Sequence, residues 1–215
     1  MDKCQICINN DNCNLVPKNN KSLACPFFLN IPNNQTSNFP EFKEFKKIPR
    51  LSREIIVTEK IDGTNGLIYI DENNNIFAGS RNRWLDDHND NHGFWHWAMD
   101  NKEELLKLGK GYHYGEWMGQ GIQRNYGLKE KRFYLFNVHK WTDETVRPKC
   151  CYVVPIIGKL EFNTEKIITL LEWLKVHGSV AVPGFPDAEG IVIFHTASGY
   201  LFKKTIENDE KGKEQ

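Results

Sequence analysis

Glu59-Lys60-Ile61-Asp62-Gly63-Thr64-Asn65-Gly66 is the stretch from which the rest of the chain can be read. An apolar, β-rich run precedes it (Ile55, Ile56, Val57) and another follows (Leu67, Ile68, Tyr69, Ile70). The pattern predicts a strand over 54–59, a tight turn at Asp62-Gly63 and a second strand over 66–70, in a hairpin-like arrangement. Lys60 then stands at a strand exit, against a wall rather than on a surface loop. That position suits a covalent nucleophile, provided burial or neighbouring cations disfavour the ammonium form. A carboxylate two residues away would do the opposite. Asp62 therefore makes better sense holding a metal ion than pairing with Lys60.

The chain has 215 residues, one ordinary domain with room for a small appendage. Lys plus Arg and Asp plus Glu both number 28, so the net charge is zero and a globally basic nucleic-acid binder is not indicated. A polyanion would have to be held by a local patch. The start is polar rather than a secretory signal, and no apolar run approaches the length of a membrane span, so a soluble, cytoplasmic protein with no membrane partner is expected. Residues 1–30 form a Cys-rich segment in which Cys4, Cys7, Cys13 and Cys25 are spaced C-x2-C-x5-C-x11-C. Four such thiolates could close a structural Zn²⁺ site; an iron–sulfur cluster or four unligated thiols are the other readings.

Further along, Glu41–Lys47 reads as a short amphipathic helix packing Phe42 and Phe45. A strand over 76–78 precedes Arg81 and Arg83, which could fork a phosphate or simply lie in a solvated turn. His88, His92 and His96 are spaced four apart and would line one helical face, a conceivable metal site. Gly93 and the surrounding Asn and Asp residues favour instead a loop entering a helix from Phe94 to about Lys107. Tyr112–Trp117 reads as an aromatic strand in which Glu116 is the one acid and needs a partner. Gly119–Gly127 reads as a turn or flexible loop, and 132–138 and 150–157 as strands. Asn163 or Thr164 caps a helix running to about Val176, with Gly178 just beyond it and Ile167, Leu170, Leu171 and Leu174 on its apolar face. Glu189 stands before a buried run, and Tyr200–Thr205, carrying Lys203 and Lys204, is the last strand.

In this order the pieces resemble the covalent nucleotidyltransferase superfamily of ATP-dependent ligases and capping enzymes. Lys60-x-Asp62-Gly63 resembles the nucleophile motif, Ser80-Arg81 the next, and Tyr114-Gly115-Glu116 the acidic one after it. Phe133–Asn137 resembles the aromatic strand that stacks the purine, Glu189–Ile193 the metal-linked acidic motif, and Lys203-Lys204 the final lysine motif. The Thr64-Asn65 extension is similar to RNA ligases of phage and viral type. The closest family is thus the RNA ligase adenylyltransferase domain, over about residues 54–206 of a domain taken as 31–215.

The resemblance implies an α+β, ATP-grasp-like nucleotidyltransferase fold of antiparallel sheets flanked by helices. It implies ATP, Mg²⁺ or Mn²⁺, and RNA with 5′-phosphate and 3′-OH ends. Lys60 would become lysyl-AMP, with Lys203 and Lys204 as cations at the α-phosphate. Asp62 and Glu189 would orient the metal, directly or through water, with Asn65 helping. Glu116 would bind the ribose hydroxyls, Phe136 would stack on adenine, Glu59 would accept from the adenine amino group, and Arg81 would contact a phosphate. Two departures stand out: Asn137 follows the stacking phenylalanine where an acid is usual, and Thr205 leaves the last motif without its Lys-x-Lys form. The alternatives are a DNA ligase or capping-type guanylyltransferase of the same fold, or a non-catalytic zinc-dependent RNA-end binding protein.

Overall fold

Glu54–Lys60 forms β1, buried from Ile55 to Glu59 and so covered on both faces. This computed structural model describes residues 40–209. The four N-terminal cysteines, and with them the Zn²⁺ expectation, lie outside the described residues. The chain divides into two units, 1–47 and 48–215. In the first, residues 40–47 are exposed and form no regular element, with Phe42 and Phe45 87% and 83% exposed. The helix expected over 41–47 does not form there, as a single amphipathic turn or two cannot recover its nucleation cost without packing.

In the second unit, β1 lies between β7 (Ile156–Glu161) and β8 (Gly190–His195), with β9 (Tyr200–Thr205) beyond β8, all antiparallel. The chain then leaves that sheet. β2 (Thr64–Ile70) lies between β3 (Ile76–Gly79) and β4 (Gly111–Gly119) in a second, five-stranded sheet completed by β5 (Lys131–Leu135) and β6 (Cys151–Val153). Among the described strands only the β5–β6 pair is parallel. The strands flanking the Lys60 turn thus do not form a hairpin with each other. Gly63 in the crossing lies so close to β4 that a Cβ would meet the Trp117 carbonyl oxygen at 2.4 Å.

Among the described residues four α-helices accompany the sheets: α1 (Phe94–Asp100), α2 (Lys102–Leu105), α3 (Val138–Trp141) and α4 (Thr164–His177). The single helix expected from Phe94 to Lys107 is broken at Asn101 and ends in a 3₁₀ turn. The strand expected over 132–138 stops at Leu135, because the Asn137 side chain accepts from the Lys140 amide and starts α3. The run 150–157 is split by Pro155, whose carbonyl accepts from the Glu59 amide. α4 begins and ends as expected, with Asn163 bonded to the Lys166 amide and Gly178 at φ 77°.

Ile68, Phe94, Trp117, Phe133 and Leu135 fill one face of the five-stranded sheet under α1 to α3. Ile55, Val57, Ile191 and Ile193 pack the other sheet on Ile167, Leu171 and Leu174 of α4. Ile61, Met118, Tyr126, Tyr134 and Val154 form a third cluster where the chain crosses between the sheets. The result is the α+β architecture of sheets flanked by helices anticipated above, with two sheets among the described residues. No helix among the described residues is long and apolar enough to cross a membrane.

Candidate active site

Strand alternation sends Ile55, Val57 and Glu59 to the α4 side of the sheet and Thr58 and Lys60 to the other. Lys60 pairs in register with Gly190 at the start of β8. Glu189, one residue earlier, is thereby delivered to it from 129 positions away, and Lys60 Nζ donates to Glu189 Oε2 at 2.5 Å. Both side chains are largely withdrawn from water, at 19% and 7% exposure. The acid that Lys60 bonds is therefore Glu189, from the far end of the domain.

Asp62 is held from the loop 119–127. Arg124 Nε donates to Asp62 Oδ2 at 3.1 Å, and the Asp62 amide donates to the Tyr126 hydroxyl at 2.7 Å. Arg124 also donates to the Asp187 carbonyl at 3.2 Å and pairs with the Asp187 carboxylate. One guanidinium thus ties the Asp62 turn to the segment leading into Glu189. Neither Arg124 nor Tyr126 was found by sequence reasoning. The loop's glycines read as flexibility, whereas Tyr126 is in fact buried at φ 56°, and burial holds its hydroxyl well above the usual tyrosine range.

Glu116 comes from the other sheet. β4 sets it opposite Asn65 of β2. It accepts from the Gly63 amide at 3.1 Å and from Asn65 Nδ2 at 3.3 Å. Burial pushes its carboxyl up to about 7, against the pull of Lys60 and with a further push from the charges of Glu189 and Asp62. Lys60, Asp62, Glu116 and Glu189 are thus one electrostatic group.

Glu59 plays a different part. It is 1% exposed, and accepts from Ser179 Oγ at 2.6 Å and from the Val180 and Ala181 amides at 2.8 Å each. Burial raises its pKa while those donors oppose the rise. Three of a carboxylate's roughly four lone-pair sites are thereby used, so most of its hydrogen bonding goes to the loop after α4.

The two C-terminal lysines part company. Thr58, Val192 and Lys203 form one row across β1, β8 and β9, on the Lys60 face. Glu59, Ile191 and Lys204 form the next row, on the opposite face, where Lys204 Nζ donates to Asp209 Oδ2 at 2.7 Å. Thr205 lies in the Lys60–Gly190 row. Phe136, just past β5, is 40% exposed; its amide donates to the Tyr114 carbonyl at 3.0 Å, on the sheet face that carries Glu116. Arg81 is exposed just beyond β3.

The histidines do not share a helical face. His92 lies before α1 at φ 52°, and His96 in α1 bonds Asp90 at 2.8 Å and Asp87 at 2.9 Å, which raises its pKa, Asp90 foremost. Among the described residues no three His, Cys, Asp or Glu side chains are grouped to hold a metal ion. The donor set at Asp62 and Glu189 is two hard carboxylates that draw positive partners, Arg124 and Lys60. That suits a Mg²⁺-like ion, which keeps several waters and takes one or two carboxylates plus substrate phosphates.

A family model described as RNA ligase matches residues 53–205. The fold is similar to Naegleria gruberi RNA ligase in several solved forms. A lysine-to-alanine mutant with ATP and Mn shares 26% identity and a TM-score of 0.54, covering 71% of this chain and 48% of that one. The form with PPi shares 26% at a TM-score of 0.55, covering 78% and 57%. An arginine-to-alanine mutant with ATP and Mn shares 25% at 0.57, covering 73% and 51%. The chain spans about half the length of these solved relatives. No curated protein matches it.

Proposed function

The chain belongs to the RNA ligase family, and from that premise we propose that it is an ATP-dependent enzyme joining RNA 3′-OH and 5′-phosphate ends. The observation that carries the reading is the Lys60–Glu189 contact, which unites the candidate nucleophile with the acidic motif from the far end of the domain. Naegleria gruberi RNA ligase is solved with ATP and Mn, which supports a nucleotide and a divalent cation here.

Lys60 Nζ attacks the α-phosphorus of ATP. A P–N bond forms, the P–O bond to pyrophosphate breaks, and the amine proton is lost. The AMP then passes to the RNA 5′-phosphate, releasing Lys60. A 3′-hydroxyl attacks that activated phosphate and expels AMP. Attack needs the nitrogen lone pair, so the hydrogen bond from Lys60 to Glu189 is given up as the reaction begins. A divalent cation held by Asp62 and Glu189 would supply positive charge toward phosphate oxygens. Lys203, on the Lys60 face, adds a fixed cation at the α-phosphate. Glu116, its carboxyl near 7, is able to accept from or donate to ribose hydroxyls. Phe136 offers an exposed ring for adenine; Glu59, 1% exposed and bonded to Ser179, Val180 and Ala181, would reach an adenine amino group only if those bonds rearrange.

The test is incubation with α-labelled ATP and Mg²⁺ or Mn²⁺. We expect an acid-labile protein–AMP adduct, lost in Lys60→Ala with the circular dichroism spectrum unchanged. Adduct formation that survives in Lys60→Ala, or that occurs with GTP but not ATP, overturns the assignment.

A further inference from the structure

β2 and β4 present side chains in steps of two along the face of the five-stranded sheet that the main core leaves uncovered. On β2 the row runs Asn65, Leu67, Tyr69, and on β4 it runs Glu116, Tyr114, Tyr112, paired in register. The first pair belongs to the candidate site. The last lies four residues, about 13 Å, along the strands. β3 adds Phe77 opposite Tyr69. Trp84 lies over Gly79, where a Cβ would come within 3.2 Å of the indole.

These rings form a continuous group. Tyr69 lies 4.4 Å from Tyr112, 6.0 Å from Phe77 and 6.2 Å from Trp84 between centroids. Tyr112 and Tyr114 are 6.3 Å apart with planes 11° from parallel. Phe77, Trp84, Tyr112 and Tyr114 keep 45%, 50%, 57% and 56% of their surface open. The main core of this sheet lies on its other face, on Ile68, Trp117 and Phe133. A contiguous exposed apolar patch of this kind marks an interaction surface.

Charge and continuity identify the occupant. Arg81 and Arg83 lie beside Trp84 in sequence and are exposed, and among the described residues neither forms a salt bridge; Arg83 donates only to the carbonyls of Asn89 and Asp90. On a chain of zero net charge, this is a local cationic rim for phosphates. The row also runs without a break into Asn65 and Glu116. Exposed rings with arginines along a backbone track are what unpaired bases stack upon. We propose that this aromatic face is a stacking platform for the unpaired bases of the RNA strand whose end is activated at Lys60. The proposal rests on the RNA ligase reading above.

The test uses the full chain and a 5′-phosphorylated, 3′-fluorescein single-stranded oligoribonucleotide, with affinity read by anisotropy in the absence of ATP. Replacing Trp84 and Tyr112 together by Leu should weaken binding at least tenfold, since each stacked base contributes about that factor or more. Replacing both by Phe, which keeps a stacking ring, should hold binding within about threefold. AMP transfer to Lys60 should be the same in all three proteins. Equal RNA affinity in the Leu variant overturns the platform, and so does a wild-type protein that is adenylylated yet binds no oligoribonucleotide. Sedimentation showing a wild-type dimer that the Leu variant loses, with RNA affinity unchanged, assigns the face to a second copy and also overturns it. If the Leu variant loses its circular dichroism, Trp84→Phe beside the wild type decides: quenching of tryptophan fluorescence by RNA must drop in that variant. A wild type that binds RNA but takes no label from ATP overturns the enzymatic reading instead, leaving the platform supported.

Discussion

Glu116 offers the sharpest physical test of the site. Moving its carboxyl from an ordinary 4.5 to about 7 means that the folded protein holds a proton there that the unfolded chain has released. Between those values the folded state binds more protons, so this group makes stability fall as pH rises. With both states titrating, the loss between pH 5 and pH 8.5 comes to about 2.5 kcal/mol at 1.36 kcal/mol per pK unit. Glu116→Gln removes the titration while its amide oxygen can still accept from the Gly63 amide. Relative to wild type, the variant should therefore gain about 2.5 kcal/mol of stability on going from pH 5 to pH 8.5. For a chain of this size that corresponds to roughly 5–10 °C in the midpoint difference. Urea titrations of both proteins at the two pH values, each fitted with its own slope, give the number directly. Groups that titrate identically in both proteins cancel in the comparison. A difference that stays constant with pH would refute the reasoning, since it would mean that Glu116 is ionised as readily in the fold as in water.

Three other outcomes follow from the geometry. Lys203→Ala should slow AMP transfer to Lys60 at least tenfold, while Lys204→Ala, on the opposite face and bonded to Asp209, should change it less than threefold; single-turnover labelling distinguishes them. Arg124→Ala leaves the Asp62 carboxylate without its guanidinium, and should cost about 1–2 kcal/mol in urea unfolding and also reduce labelling, because the turn after Lys60 loosens. Ser179→Ala takes one of three donors from the buried Glu59, so unfolding should be easier by about 1–3 kcal/mol; an unchanged midpoint would show that Glu59 is not held as described.

The residues that could be read from the chain are those attached to strong local patterns. Lys60, Glu116 and Glu189 each adjoin an apolar or aromatic run, so their strands were legible, and so was the place of Lys60 and Glu189 at strand ends. α4 was legible for the same reason, with a capping Asn163 before it and Gly178 after it. What was not legible is partnership. A strand's alternation fixes which side chains share a face but not which strand lies beside it, so β1 and β2 read as a hairpin although they belong to different sheets. Arg124 was missed because a loop residue with no periodicity acquires meaning only through a partner 62 positions away. Asn137 looked like the end of a strand, and only its side-chain bond to Lys140 makes it the start of α3.

The change of sheet at Ile61–Gly63 also explains why the site is where it is. Lys60 is the last residue of one sheet, and Glu189 and Lys203 belong to that same sheet or its approach, so their mutual placement is fixed by ladder hydrogen bonds. Asn65 and Glu116 belong to the other sheet and are fixed to each other in the same way. The two sets are joined by the turn itself, by the bonds that clasp it (Glu116 to the Gly63 amide, Tyr126 to the Asp62 amide, and Arg124 to the Asp62 carboxylate), and by the apolar cluster of Ile61, Met118, Tyr126, Tyr134 and Val154. The groups assigned to the phosphate chemistry thus stand on one sheet or its approach and those assigned to the ribose on the other. Asp62 lies in the turn that carries the chain from one sheet to the other, and Arg124 ties that turn to the segment leading into Glu189.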